Sequence, residues 1–491
     1  MKTQSVKINA MLNVIKTCST IIFPLITYPY VLRILMPENI GRVNFSNSFV
    51  SYFSLIAGLG ISTYAIRECA KSRGNQNNLD RISSQIFSIN IITTLVAYLF
   101  LLLSLLVFYK LRTYRTLILL YSVTILFTTL GADWINTAME DFLYISIRTV
   151  LFQLLHIVLI FAFIKNSDDY VKYAAISVLT ASGANILNIF YRRKYCNMRI
   201  VFKIEWRRHL APIFFMFVMI LSQTIFNTAD ITMLGFMKGD YSVGIYSTAV
   251  KISHIISQLV SSILFVLLPK LSSLFSSDDY DRINSMLRKV LGFIIITGLP
   301  CYVGVTVLSD EIMMIIGGAA YIESPTILRI LLVSFLFSLV GGSFLGNIVL
   351  LPSGNEKKYM IICCITAGFN VITNYLFIPR FGVFAAAGTT AASSLLILVL
   401  LILTIDKRIK IASKLRLFLS PILGSIVLGI LCLLIKKNIK KNIMNLYIRF
   451  AVCVSAGLIA YSGVLLIFKN EFFMEIMQSI KTKVLRLKNE K

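Results

Sequence analysis

Charge is what this 491-residue chain has least of: Asp, Glu, Lys and Arg together make up 14% of it, against 57% hydrophobic residues. Hydrophilic segments are just as scarce. None of those between apolar runs exceeds roughly twenty-five residues, which leaves no room for a soluble catalytic, nucleotide-binding or receptor domain. No G-x-x-x-x-G-K-[ST] loop is present, so direct coupling to ATP hydrolysis within this chain is not expected. The eight cysteines (Cys18, Cys69, Cys196, Cys301, Cys363, Cys364, Cys432 and Cys453) include no C-x-x-C pair and have no clustered histidine partners. They read as small core residues, with neither a metal site nor a disulfide framework. The opening MKTQSVKINA has no small-residue cleavage site and runs into a full-length apolar stretch, so it is read as a retained first helix.

Acids are the rarer sign, with 22 Asp and Glu against 48 Lys and Arg for a formal net charge of +26. That balance raises nucleic acid as a partner. The cations, however, sit in short loops between apolar runs, the pattern by which membrane proteins set their orientation, and no nucleic acid is expected.

Apolar runs of about twenty residues recur from end to end, which makes the chain an all-α polytopic membrane protein. The runs predict fourteen spans, at 11–35, 43–65, 86–108, 115–135, 148–165, 171–191, 210–234, 244–268, 289–308, 326–350, 358–378, 383–405, 416–435 and 447–468, with twelve as the fallback count. Placing both termini in the cytoplasm puts the cation-rich segments 192–208, 407–416 and 469–491 inside. Lys436, Lys437, Lys440 and Lys441 then lie outside and argue the other way, so the last two helices are the weakest placement.

A weak internal repeat accompanies this pattern. Leu35 to Phe53 lies on Lys238 to Ile256 with Gly41 matching Gly244, an offset of 203 residues. Two pseudo-symmetric lobes are therefore expected: residues 1–191 (six helices) and 210–405 (six more), joined by a basic cytoplasmic linker at 192–209. Two extra helices at 406–468 and a basic tail at 469–491 follow. Transporters use such paired lobes around a central cavity, with the substrate at their interface.

Polar residues inside the spans mark the candidate cavity. Gly244 to Pro269 is long enough to cross a bilayer, yet it carries Lys251 near its middle. A lysine at the centre of a membrane helix costs roughly 2.5–3.5 kcal/mol and so normally faces a wet cavity or a partner. Ser247, Lys251, His254, Gln258 and Ser261 share one side of that helix, and Ile252, Ile255, Ile256, Leu259 and Val260 cover the rest. On helix 1 stand Lys16 and Arg33, near enough to its ends to snorkel; on helix 2 stand Asn44 and Asn47. Helix 7 carries Asp230, helix 11 Asn370 and Asn374 one turn apart, and helix 12 Thr390. Their oxygens suit a small cation, or they join helices by hydrogen bonds. Asp133, Trp134, Glu140 and Asp141 read as a solvated loop with an interfacial Trp, and no catalytic set accompanies them.

Several stretches together resemble the Wzx-type polysaccharide flippases of the multidrug/oligosaccharidyl-lipid/polysaccharide exporter superfamily. They are Pro29 to Gly41, Tyr52-Phe53 through Gly58 and Gly60 to Arg67-Glu68, Asp133-Trp134 to Arg148, Gly244 to Lys251, and Asn374 to Gly382 with Gly388 to Thr390. The resemblance implies two six-helix lobes and no enzyme activity. It also implies that an undecaprenyl-pyrophosphate-linked oligosaccharide crosses the bacterial cytoplasmic membrane by alternating access, driven by an H+ or Na+ gradient. Lys251 stands where the related lipid II flippases have a cavity arginine linked to pyrophosphate; a lysine keeps the charge but loses the bidentate fork. Asp230, Asn370 and Thr390 match a sodium site of that relative, whose second helix 11 acid is Asn374 here, one charge fewer. A polysaccharide polymerase and chain-length machinery are the partners so implied. A drug/cation antiporter of the same superfamily, a membrane polymerase or ligase, and a scaffold are the competing readings.

Overall fold

The computed structural model describes residues 6–276, 279–410, 416–438, 443–475 and 477–478; side chains are described from Ser19 on, apart from residues 21, 262–270, 272, 276, 416, 417 and 443–445. Among the described residues every regular element is helical and none is a strand. In hydrocarbon each backbone N–H and C=O must find its partner within the segment, and a helix does this residue by residue. In chain order the helices are α1 (Val6–Gly58), α2 (Ile61–Lys71), α3 (Gln76–Val107), α4 (Arg115–Gly131), α5 (Trp134–Ala138), α6 (Phe142–Phe163), α7 (Tyr170–Tyr191) and α8 (Trp206–Met237). They continue with α9 (Asp240–Ser276), α10 (Tyr280–Val307), α11 (Ser309–Ile316), α12 (Ser324–Ser338), α13 (Glu356–Thr404), α14 (Arg416–Asn438) and α15 (Ile443–Ile467).

Eleven helical stretches among the described residues are long and apolar enough to cross a membrane. Fourteen were expected. Two of the eleven, Ile22–Lys71 and Glu356–Thr404, each contain a break, at Met36 and at Gly382, inside the gaps the sequence left between spans. Lipid-facing surface is plain on α3, where Leu95, Leu99, Leu106 and Val107 are all more than half exposed. A contiguous apolar face of that kind belongs in a bilayer, and the chain is a multi-pass membrane protein.

The chain divides into two compact units. The first comprises Met1–Ser247 with Asn374–Gly382, and the second Thr248–Thr373 with Val383–Lys491.

In the first unit the repeat packs upon its own image. Met36 adopts φ 64° just before Pro37, and Gly239, 203 residues on, adopts φ 89° just before α9. A residue before proline is disfavoured in the helical region, while proline itself starts a helix well, so the chain breaks at Met36 and resumes at Pro37. A Cβ on Gly41 would fall 1.8 Å from the Asp240 carbonyl oxygen, and one on Gly244 would fall 1.9 Å from that of Pro37. Only glycine permits either approach. Asn44 Nδ2 donates to Ser247 Oγ at 2.7 Å, again between positions 203 apart. Reciprocal contacts between equivalent positions are the mark of a local two-fold relation. A separate apolar core binds α2, α3, α5 and the residues after α7, with Tyr64, Ile86, Ile135 and Cys196 at its centre.

In the second unit α12 continues as a π-helix over Leu339–Leu350, a form with wider turns in which Leu351 N–H reaches back to the Gly346 carbonyl at 3.1 Å. Its α-helical approach is tied to α13 by Ser334 and Ser394, whose hydroxyls lie 2.7 Å apart. Leu428, Cys432, Cys453, Tyr461 and Leu465 form the α14 and α15 core with Ile296 and Leu308. At its rim Glu311, 1% exposed, forms ion pairs with Arg449 Nη2 and Lys436 Nζ, each at 2.9 Å. Lys436 had read as a charge in a loop; it is instead the last turn of α14, donating also to the Val307 carbonyl at 2.7 Å. It is consumed by a tertiary ion pair. Lys440 and Lys441 lie outside the described residues, as do residues 479–491 of the expected tail.

Candidate functional site

The polar stripe of α9 separates into parts. Ser247 is buried and occupied by Asn44, and Ser261 lies 3.3 Å from Ser343 Oγ. Between them Lys251, His254 and Gln258 are all exposed, one above another at i, i+3 and i+7, while Ile252 and Val260 are buried on the other side. A cation, an imidazole and an amide thus stand together on one face of a helix that also carries Ile255, Ile256 and Leu259. Of the other candidate cavity residues, Asn47 and Arg33 are exposed and Asn44 is half-buried. Lys16 lies in α1, and its side chain is outside the described residues.

The second constellation gathers on Asp230 in the first unit. Its carboxylate is 4% exposed and accepts from Tyr246 Oη at 2.6 Å through one oxygen and from Asn374 Nδ2 through the other. Three elements supply these groups: α8, the opening turns of α9, and the part of α13 just before its break at Gly382. Lys238 holds that break in place by donating to the Pro379 carbonyl at 2.8 Å. Close by on α8, Ser48 reaches the Thr232 hydroxyl at 2.8 Å and the Thr228 carbonyl at 3.1 Å, which fixes α8 against α1. Asn370 and Thr390 belong to the second unit. Asn370 is fully buried, and Thr390 donates to the Ala386 carbonyl of its own helix at 2.8 Å. A carboxylate held by a phenol and an amide is chemistry suited to a small cation or a proton. Among the described residues no group of three or more His, Cys, Asp or Glu has metal-site geometry.

Tyr246 is the member of this set that sequence patterning missed. A tyrosine in an apolar run carries no periodic polar signal; only the depth of its burial, 1% exposed, reveals the hydroxyl as an internal donor.

The carboxylates after α4 are also organised more tightly than a solvated loop. Trp134 is buried rather than interfacial, because α5 turns it into the core of α2 and α3. Asp133 pairs with the buried Arg148 at 2.7 Å, and the guanidinium lies 5.3 Å over the Tyr144 ring. Burial pushes the Asp141 carboxyl up, but hydrogen bonds from Tyr191 (2.6 Å), Tyr195 and the Tyr144 N–H outweigh it and hold the group below its ordinary range. Asp169 is held at about 2, first by its hydrogen bond from Lys172 and then by the Lys165 and Asn166 N–H groups.

A family model described as "Polysaccharide biosynthesis protein" matches residues 6–275. The chain is 23% identical over 261 residues to the "Putative O-antigen transporter" of Escherichia coli (strain K12), a match covering 52% of this chain and 62% of that protein. It is 23% identical over 375 residues to the capsular polysaccharide biosynthesis protein CapF of Staphylococcus aureus, covering 73% of this chain and 89% of CapF. In fold it is similar to the solved lipid II flippase MurJ in its inward closed conformation, with a TM-score of 0.76 at 16% identity over 95% of this chain and 100% of the other. A multidrug resistance MATE family transporter in its inward-facing conformation matches with a TM-score of 0.56 at 15% identity, over 78% and 93% of the two chains.

Proposed function

Since this chain belongs to the polysaccharide biosynthesis protein family, whose model covers more than half of it, we propose that it is a flippase for lipid-linked oligosaccharide, a transporter and not an enzyme. Its substrate is an undecaprenyl-pyrophosphate-linked repeat unit, moved across the bacterial cytoplasmic membrane during O-antigen, capsule or exopolysaccharide assembly. A pyrophosphate head cannot cross hydrocarbon unaided, because stripping its water without replacement is prohibitive. A protein face carrying a cation and neutral hydrogen-bonding groups replaces that water while the polyprenyl tail stays in lipid.

The observation that carries this reading is the exposed face of α9, with Lys251 at its centre and His254 and Gln258 beside it. In the proposal Lys251 meets the pyrophosphate as a point charge, and His254 and Gln258, with Asn44, Asn47, Arg33 and Lys16, serve the sugar or its phosphates. Access alternates between lobes at 1–191 and 210–405. The ion gradient acts through Asp230, aided by Asn374, Asn370 and Thr390. A drug/cation antiporter of the same superfamily should favour an acidic cavity, whereas the mid-helix group here is cationic.

The test is transport by substituted full-length chains. Lys251→Ala should insert and fold yet lower export by about 10- to 100-fold, the worth of a charge-assisted contact to phosphate. Lys251→Arg should keep activity. Normal export by a well-expressed Lys251→Ala chain would remove the pyrophosphate contact from the proposal.

A further inference from the structure

The segment between α7 and α8 is a clamped strap. Along α3, Gln76, Asp80, Ser84 and Ser88 recur every four residues, a rise of about 6 Å. Alternate residues of an extended chain recur at nearly the same distance. The two repeats mesh. Gln76 Nε2 donates to the Tyr195 carbonyl at 2.9 Å, and the N–H groups of Asn197, Arg199 and Val201 donate to Asp80 Oδ1, Ser84 Oγ and Ser88 Oγ at 3.0, 3.1 and 2.8 Å. Beyond the ladder, His209 sits fully buried between Tyr64 Oη (2.8 Å) and Gln85 Oε1 (2.7 Å), and Glu205 accepts from Gln85 at 3.3 Å and from Arg81. The hydrogen bond from Gln85, followed by that from Arg81, holds the Glu205 carboxyl below its ordinary range.

What the clamp presents outward is unusual for a polar linker. Ile200 is 60% exposed and Phe202 95%, followed by Trp206, Leu210 and Phe214 on the first turns of α8. Interleaved with them are Arg199, Lys203 and Arg207, all exposed and making no ion pair among the described residues. Phe202 and Trp206 line an open cleft of about 1020 Å³, with Arg81, Arg199 and Lys203 also on its walls beside Asp80 and Glu205.

We propose that this strap is a docking surface for the phosphate headgroups of anionic membrane lipid, with Phe202 and Trp206 inserted among the acyl chains and Arg199, Lys203 and Arg207 on the headgroups. Two observations commit it to lipid. Its exposed apolar residues continue at Leu210 and Phe214 of α8, a helix of membrane-spanning length, so the strap lies at the level where a bilayer ends. Its unpaired charges are all positive, and cations interleaved with aromatic and aliphatic residues are what an anionic interface attracts. The proposal is independent of what the protein transports.

The chain's two tryptophans make the test direct. Trp134 is buried, its Nε1 makes no hydrogen bond among the described residues, and Trp134→Phe leaves Trp206 as the sole emitter. The full chain is placed in vesicles of phosphatidylcholine, alone or mixed with phosphatidylglycerol, with acyl chains brominated near the headgroup. Trp206 emission should be quenched, more strongly with phosphatidylglycerol present. In the Arg199→Gln, Lys203→Gln background that preference should fall by about fivefold per cation removed. Should Trp134→Phe not fold, the difference in emission between the natural chain and Trp206→Phe gives the same reading. Emission that brominated chains do not quench, or quenching indifferent to phosphatidylglycerol, overturns the proposal.

Discussion

Two buried carboxylates divide the labour of charge in this protein. Glu311 in the second unit is met by two cations, Arg449 and Lys436, each at 2.9 Å, and neighbouring Asp310 adds Arg329 at 2.7 Å. Asp230 in the first unit is met instead by a phenol and an amide, Tyr246 and Asn374. The cations around Glu311 cancel its charge, and what remains is a rivet between α11 and the last two helices. Neutral donors, a hydroxyl and an amide, hold Asp230 in place. A carboxylate of the first kind is built for permanence, and one of the second kind suits a cation or proton that comes and goes.

The comparison breaks most visibly at the rivet. Arg449→Ala leaves Glu311 buried beside a single cation and should destabilise the chain by about 3–5 kcal/mol, read as a lowered thermal midpoint in detergent. Replacing Glu311, Arg449 and Lys436 together with apolar residues of similar volume should restore most of the loss. Tyr246→Phe removes one donor from Asp230 and is expected to cost about 1–2 kcal/mol in the same assay. Asp141, held by tyrosine hydroxyls in a loop, is a third kind and sharpens the contrast. Its carboxyl lies below its ordinary range, so its contribution is present at neutral pH and is lost as pH falls through the lowered value. Asp141→Asn should therefore cost about 1 kcal/mol near neutrality, with the gap to the unsubstituted chain closing below about pH 4. The smallest effect on stability is expected at Asp230 itself. Asp230→Asn keeps the volume and the Asn374 and Tyr246 neighbours, so the thermal midpoint should hardly move, while gradient-dependent transport falls on the order of tenfold. A large loss of stability there would place Asp230 with Glu311 among the rivets.

The helical architecture was legible because its signals are local. Apolar runs marked the helices, and the gaps left between spans at 36–42 and 379–382 contain the breaks at Met36 and Gly382. The repeat was legible for the same reason, since Gly41 and Gly244 are required by contacts that each makes with the other's turn. Tertiary pairing was not legible. Lys436 read as a topology signal because nothing in its own run reveals Glu311, 125 residues earlier in the chain. Trp134 read as interfacial because its fate depends on α2 and α3. Of the proposed site, the residues named were those polar at helical spacing, and the structure brings two of them, Asp230 and Asn374, into contact. Tyr246 was not among them, since an aromatic residue in an apolar run shows its hydroxyl only once a buried acceptor faces it. The π-helical turns after α12 also left no local trace, because Leu339–Leu350 has the composition of any membrane helix.

The most direct measurement is the leaflet distribution of undecaprenyl-pyrophosphate oligosaccharide in vesicles with and without this protein, under imposed proton and sodium gradients in turn. The proposal expects movement of the intact lipid-linked sugar that requires the protein, responds to one of the gradients, and disappears in the Lys251→Ala chain. Equal distributions with and without folded protein, across several oligosaccharides and both gradients, would contradict it.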